Sequence, residues 1–205
     1  MQNLARLLKS IGCKYEVEAL KAFHPSKDNC SDRDGFVNIA SEKLIRGVSF
    51  KLWEVDSTDI EYQYEEGHTL SLYLSGGQTT YRTDKPNLKG QPGKLCLMPK
   101  DHLSRWRSSN TIRIEHLYLP DHIIRQDAER CLDIDARFAE LKDITYQEDR
   151  FLSQAMLSLI NALKHGSQID PLFAEEALNA VSASLLAHYR QSNQREEALT
   201  KGLSS

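Results

Sequence analysis

HTLSLYLSGGQTTYRTDKPNLKGQPGKLCLMPKDHLSRWRSSNTIRIEHLYLP, residues 68–120, is broken by Gly, Pro, Asn and Asp into runs too short for helices. A series of short strands with tight connections closes into a small antiparallel barrel or sandwich, and a barrel of that size holds one small ligand. In the first run His68, Leu70, Leu72 and Leu74 share one face of a strand, and Thr69, Ser71, Tyr73 and Ser75 share the other. Gly76 and Gly77 then predict a hairpin turn into residues 78–83. Residues 94–98, 103–107 and 111–119 read as further strands, separated by turns at 84–92, 99–101 and 108–110.

Working outward, residues 48–55 and 60–64 alternate in the same way upstream. The total of about eight short strands fits a jelly roll better than an open sheet. Further upstream, HPSKDNCSDRDG at 24–35 is polar and turn-forming, which marks a loop or mobile arm. Leu4, Leu7, Leu8 and Ile11 with Gly12 after them predict a short amphipathic helix.

Downstream the period changes from two to about 3.6. Asp121 is an N-cap candidate for the short helix HIIRQDAERCL. Residues 149–165 place Leu152, Met156, Leu159 and Leu163 on one stripe, with Gly166 as a stop. Asp170 followed by Pro171 caps and starts a second helix, whose face carries Phe173, Ala177, Val181, Leu185 and His188. The two helices form an antiparallel hairpin that must bury its stripe against the barrel, a partner subunit, or both. The last residues, RQSNQREEALTKGLSS, are polar and uncapped and read as a linker.

Composition narrows the function classes. A chain of 205 residues buries one core with a subsidiary helical unit, and a net charge of −3 gives no basic footprint for nucleic acid. Cys13, Cys30, Cys96 and Cys131 are widely spaced, as reduced thiols of a cytoplasmic protein would be. No signal peptide or apolar run of the ~18 residues a membrane span needs is evident. A catalytic cupin sets two His one residue apart on a strand with a Glu to hold a metal. Here there is no H-x-H, and His68, His102 and His116 are scattered. No phosphate loop, G-x-S-x-G elbow or H-E-x-x-H occurs, and Cys96 sits in an apolar strand as a buried thiol would. The sequence therefore predicts no catalytic residue, metal or cofactor; a metal-dependent cupin isomerase or dioxygenase is the alternative.

HTLSLYLSGG, the PGKLCLMP turn and strand, the SRWR run, HLYLP leading into a helix, and the hairpin ending in GLSS together resemble the amino-terminal sensor of AraC-family transcription regulators. The resemblance covers about residues 48–205. It implies a mainly β fold with C-terminal helices, a cupin-like jelly-roll barrel plus an antiparallel helical hairpin. The expected organisation is an N-terminal helix and arm at 1–47, an effector-binding barrel at 48–120, a helical dimerisation region at 121–192, and a linker at 193–205 to a missing DNA-binding domain. It further implies a small-molecule effector, a homodimer, and promoter DNA contacted only through that missing domain, with the arm as a possible lid. The dimer contact would use Leu152, Met156, Leu159, Leu163, Ala177, Val181 and Leu185.

For the pocket, Trp53, Tyr62 and Tyr73 offer flat apolar surface with hydrogen-bonding groups suited to a sugar or aromatic metabolite. Arg105 and Arg107 flank Trp106, so either the arginines or the tryptophan face inward. Alignment with the family pattern implies that Leu103, Arg105, Arg113 and Glu115 face the ligand. A one-residue slip would exchange the faces and substitute Trp106, His116 and Tyr118.

Overall fold

The computed structural model describes residues 36–56, 58–165 and 169–191. The N-terminal helix and 24–35 arm, Cys13 and Cys30, the Gly166 stop and the 193–205 linker lie outside the described residues. The strands are β1 (Phe36–Lys43), β2 (Ser49–Val55), β3 (Thr58–Tyr62), β4 (Gly67–Ser75), β5 (Tyr81–Arg82), β6 (Lys94–Met98), β7 (Ser104–Ser108), β8 (Ile112–Pro120) and β9 (Ile144–Glu148). The helices are α1 (Asp121–Leu132), α2 (Arg150–His165) and α3 (Pro171–Tyr189). None of them is long and apolar enough to cross a membrane.

Six strands form one antiparallel sheet in the order β1-β2-β8-β4-β6-β9, and β3-β7-β5 form a second. The chain is mainly β with C-terminal helices, and the two sheets face each other as a jelly-roll barrel. The first sheet is covered on its other side by the helices, so its central strands are buried on both faces. β4 is buried from Gly67 to Leu74. Alternation sorts its side chains between two cores. Leu70, Leu72 and Leu74 join Phe50, Leu52, Leu97 and Leu117 beneath the helices. Tyr73 joins Val55, Cys96, Met98, Trp106, Ile112, Ile114 and Tyr146 between the sheets.

The helix starts follow their capping chemistry. The Asp149 carboxylate accepts from Leu152 N at 2.9 Å, and Asp170 accepts from Phe173 N at 3.0 Å. Asp121 departs from expectation. It is the first helical residue, entered directly from β8 through Pro120. Its carboxylate accepts from Arg125 Nε at 2.7 Å and from His68 Nε2 at 3.2 Å instead of closing a backbone cap. Lys100 N donates to His68 Nδ1 at 3.2 Å, so both ring nitrogens of this buried histidine are satisfied. The Arg46 guanidinium holds both carboxylate oxygens of Asp127, and Arg130 bonds Asn179 at 3.0 Å. These contacts pin the β1–β2 turn, α1 and α3 together.

Three expectations change. β1 belongs to the first sheet, paired with β2 from Phe36↔Val55 to Lys43↔Ser49, so the sheet begins inside the stretch read as helix and arm. The predicted 76–83 hairpin does not form, because β4 and β5 lie in different sheets. Gly76 and Gly77 have φ of 73° and 93°, and a Cβ on Gly76 would lie 2.6 Å from Thr111 O. The glycines serve a close crossing between sheets, not a two-residue turn. Lastly, of the surfaces expected to take the helical stripe, the barrel, a partner subunit or both, the barrel covers it within the chain. Leu152, Met156, Leu159, Val181 and Leu185 are fully buried in the core against the sheet, and Ala177 is partly buried. The Leu163 side chain lies outside the described ones.

Candidate functional site

Between the sheets a cavity opens at the end of the barrel formed by β2, β3 and β8. Its outer chamber, about 440 Å³, is walled by Trp53, Tyr62, Tyr64 and Tyr118, with Lys51 and His116 on the same surface. Beyond it an inner chamber of about 40 Å³ is bounded by Ser71, Tyr73, Thr80, Cys96, Met98 and Trp106. Phe36, Ile60, Tyr62 and His116 border both chambers and mark the neck where the two adjoin.

Register explains why these side chains meet. On β8, His116 lies opposite Lys51 and Ile114 opposite Trp53, so the even-numbered residues of β8 and the odd-numbered residues of β2 point between the sheets. Ser71 of β4 is the other cross-strand neighbour of His116. Trp106 points in from β7, where Ser104, Trp106 and Ser108 are buried and Arg105 and Arg107 are exposed.

The walls are tied by hydrogen bonds that fix their orientation. Trp53 Nε1 donates to Tyr118 Oη at 3.2 Å, and Tyr118 Oη lies 3.1 Å from His116 Nδ1. Tyr62 Oη lies 2.6 Å from Thr69 Oγ1. Edge-to-face contacts link Tyr62 to His116 at 5.7 Å and Tyr64 to Tyr118 at 5.3 Å. The Lys51 ammonium stands 5.5 Å from the Trp53 ring centre and 5.7 Å from that of Tyr118. The inner end is closed by Tyr146 against Tyr73 and Trp106. Buried Arg82 backs Trp106 at 5.8 Å and is itself held by Asp84 and Asp143.

Charge is confined to the outer chamber, which Lys51, Glu61 and Glu66 border, whereas among the described residues no Lys, Arg, Asp or Glu lines the inner one. Burial, with the Lys51 charge, lowers His116 to about 3, so the ring is an uncharged imidazole at neutral pH. Burial also raises the Tyr62 phenol and the Cys96 thiol, each to about 12. The thiol is thus no nucleophile at neutral pH. Such a site can stack on flat ligands and exchange hydrogen bonds with them.

Of the side chains predicted from sequence, Trp53, Tyr62, Tyr73, Trp106 and His116 surround this cavity. Leu103, Arg105, Arg113 and Glu115 do not. Leu103 is 45% exposed, and Arg105 lies on the outer face, paired with Glu61 at 2.8 Å. Arg113 pairs with Glu54 at 2.7 Å on the helical side of the large sheet, and Glu115 is buried on that same side. The slipped register is the one the molecule adopts. Lys51, Ser71 and Phe36 line the cavity without having been predicted. Lys51 and Ser71 each lie two residues from a predicted aromatic, so alternation alone places them there. His68, His102 and His116 end in three places: against Asp121, near Asp143, and at the cavity neck. Among the described residues no three His, Cys, Asp or Glu side chains converge as a metal site would need.

The chain matches no protein-family model and no curated protein sequence. Solved structures with a similar fold include a cupin-like protein of unknown function from Ralstonia eutropha, at 12% identity over 40% of this chain and 52% of its own, with a TM-score of 0.33. Another is the AraC-like transcriptional activator CuxR, at 14% identity over 72% of this chain and 54% of its own, with a TM-score of 0.45. Ectoine synthase from P. lautus matches at 14% identity over 52% of this chain and 78% of its own, with a TM-score of 0.41. The chain thus spans about half the length of the first two. The likeness is one of fold alone.

Proposed function

We propose that the chain is the effector-sensing and dimerisation part of an AraC-type transcription regulator. On this reading a small, flat, largely uncharged molecule binds between the sheets, and promoter DNA is engaged through a helix-turn-helix domain outside these residues. The observation that carries the proposal is the aromatic-walled cavity, uncharged in its inner chamber, whose strand β8 runs without a loop into α1. The ordered run of segments from HTLSLYLSGG to HLYLP supports the regulator class. Ligand binding would act by linkage: a molecule that prefers one placement of β8 and the helices over another shifts the population between them. Because the hairpin stripe is consumed inside the chain, a partner subunit would meet side chains left exposed, such as Phe151 and Leu172.

The test uses the two tryptophans of the sequence, both of which line the cavity. Fractions of a small-metabolite pool are titrated while intrinsic fluorescence and the melting temperature are followed. Saturable quenching with a raised melting temperature is expected. Ser71→Leu, which fills the inner chamber, should abolish it. Saturable binding indifferent to Ser71→Leu and Tyr62→Phe would overturn the assignment of the site, and failure of every fraction would overturn the sensor reading.

A further inference from the structure

Glu115 sits in the middle of β8, across from Leu52 on β2 and Leu72 on β4, facing the helical layer. It is 0% exposed, and neither carboxyl oxygen has a hydrogen-bond partner among the described residues. The charged groups described at this interface are committed elsewhere. On the sheet face Arg113 and Glu54 bind each other at 2.7 Å, and His68 binds Asp121. From α1 the buried charge is Asp127, held by Arg46 and Arg130. Among the described side chains, those buried from α2 are Leu152, Met156, Leu159 and Ile160, and those from α3 are apolar apart from Ser182, whose hydroxyl is also unpartnered.

An isolated carboxylate cannot be kept in such surroundings, whereas the neutral acid can. We propose that Glu115 is a proton-binding site of the folded chain, occupied while the helical layer is closed on the sheet and emptied to solvent when that layer lifts. Closing takes up one proton from the solvent and opening returns it, so no other reactant is needed. Desolvation by burial, with no charged partner contributing, raises this carboxyl well above its ordinary value of 4.5. The sign follows from linkage. Since the folded chain holds the proton more tightly, stability is fully present below about pH 4.5 and falls as pH rises toward the raised folded value. Each pH unit in that window lowers the folding constant about tenfold. The adjacent residue, His116, faces the cavity neck, so the proton site and the ligand cavity share one strand.

Urea unfolding of the wild type and of Glu115→Gln, an isostere of the neutral acid, tests this between pH ~5 and pH ~8. The two should converge near pH ~5, with the variant gaining about tenfold per unit relative to the wild type above that. Above pH ~5 the amides of α2 should exchange faster in the wild type than in the variant, by a ratio that grows with pH, while those of β3 and β7 exchange alike. Stabilities that run parallel across the range overturn the proposal. If the variant does not fold, the infrared spectrum of isotopically labelled glutamate in the wild type decides: a neutral carboxyl band at neutral pH supports the site, and only ionised carboxylate overturns it.

Discussion

Replacing Leu159 distinguishes a hairpin that packs on its own barrel from one that packs on a partner. Leu159 is 0% exposed in the single chain and belongs to the core that includes Leu52, Leu72, Leu152 and Met156. Leu159→Ala deletes three carbons, worth about 2.4 kcal/mol at ~0.8 kcal/mol each, before any cavity is counted. The void left under α2 raises the loss to about 3–4 kcal/mol. For a chain of this length that corresponds to a melting temperature lowered by roughly 6–16 °C. Leu159→Glu would add a second carboxyl to the layer that already contains Glu115, and it should not fold at all. Circular dichroism melts with sedimentation in parallel measure both properties. The self-packed stripe is refuted if Leu159→Ala loses less than about 1 kcal/mol while Leu159→Glu stays folded and only its state of association changes.

Other positions give independent tests. Arg82, 3% exposed, holds Asp84 and Asp143, and the hydrogen-bonded guanidinium lowers Asp84 to about 2. That contribution is present above the ordinary value of 3.8 and is lost as pH falls toward 2, so acid melts of Arg82→Met should be flatter than wild type in that window. Because the Asp84 side chain is 57% exposed, the loss at neutral pH should be about 2 kcal/mol rather than that of a fully buried pair. Gly67→Ala sets a Cβ 2.1 Å from Leu119 O and 2.7 Å from Pro120 Cα, both backbone. It should lose on the order of 2–3 kcal/mol in urea unfolding, since the β4–β8 pairing must shift at its join with α1. Asp170→Ala should lose about 1 kcal/mol in the same assay, and Asp170→Asn almost none, because asparagine also caps.

Strands that alternate and helices with capped starts were legible in the sequence: β2, β4, β6, β8, α2 and α3 fall close to where their patterns put them. β1 was not, because FVNIASEK has a broken alternation that matches a bulge between Asn38 and Ala40. β9 was missed because it follows α1 and a single tight helical turn at Ala136–Phe138, and Tyr146, with φ of 58°, interrupts its extended run. The faces of β8 were ambiguous for a different reason. A barrel with one buried face puts its leucines inside, but a sheet covered on both sides buries both alternating sets. Here the leucine set faces the helices and the set bearing Ser71, Tyr73 and His116 faces the cavity. Composition within one strand cannot say which buried face is which; that depends on Trp53↔Ile114 and Lys51↔His116, pairings made across the sheet.

The consequence lies in β8 itself. Ile114, His116 and Tyr118 belong to the cavity side, while Glu115, Leu117 and Leu119 belong to the helical core, and the strand enters α1 at Pro120–Asp121 with no intervening loop. The join is braced by the Asp121 carboxylate, which binds His68 of β4 and Arg125 of α1 together. A close-packed interior does not absorb small shifts locally. On the proposed sensor reading, a ligand that displaced His116 or Tyr118 would move Glu115 and Leu117 by a similar amount beneath the helices. An uncompensated carboxyl at that point makes the sheet–helix contact weaker than a leucine would, and so easier to bias from the cavity side if the proposed effector binds there.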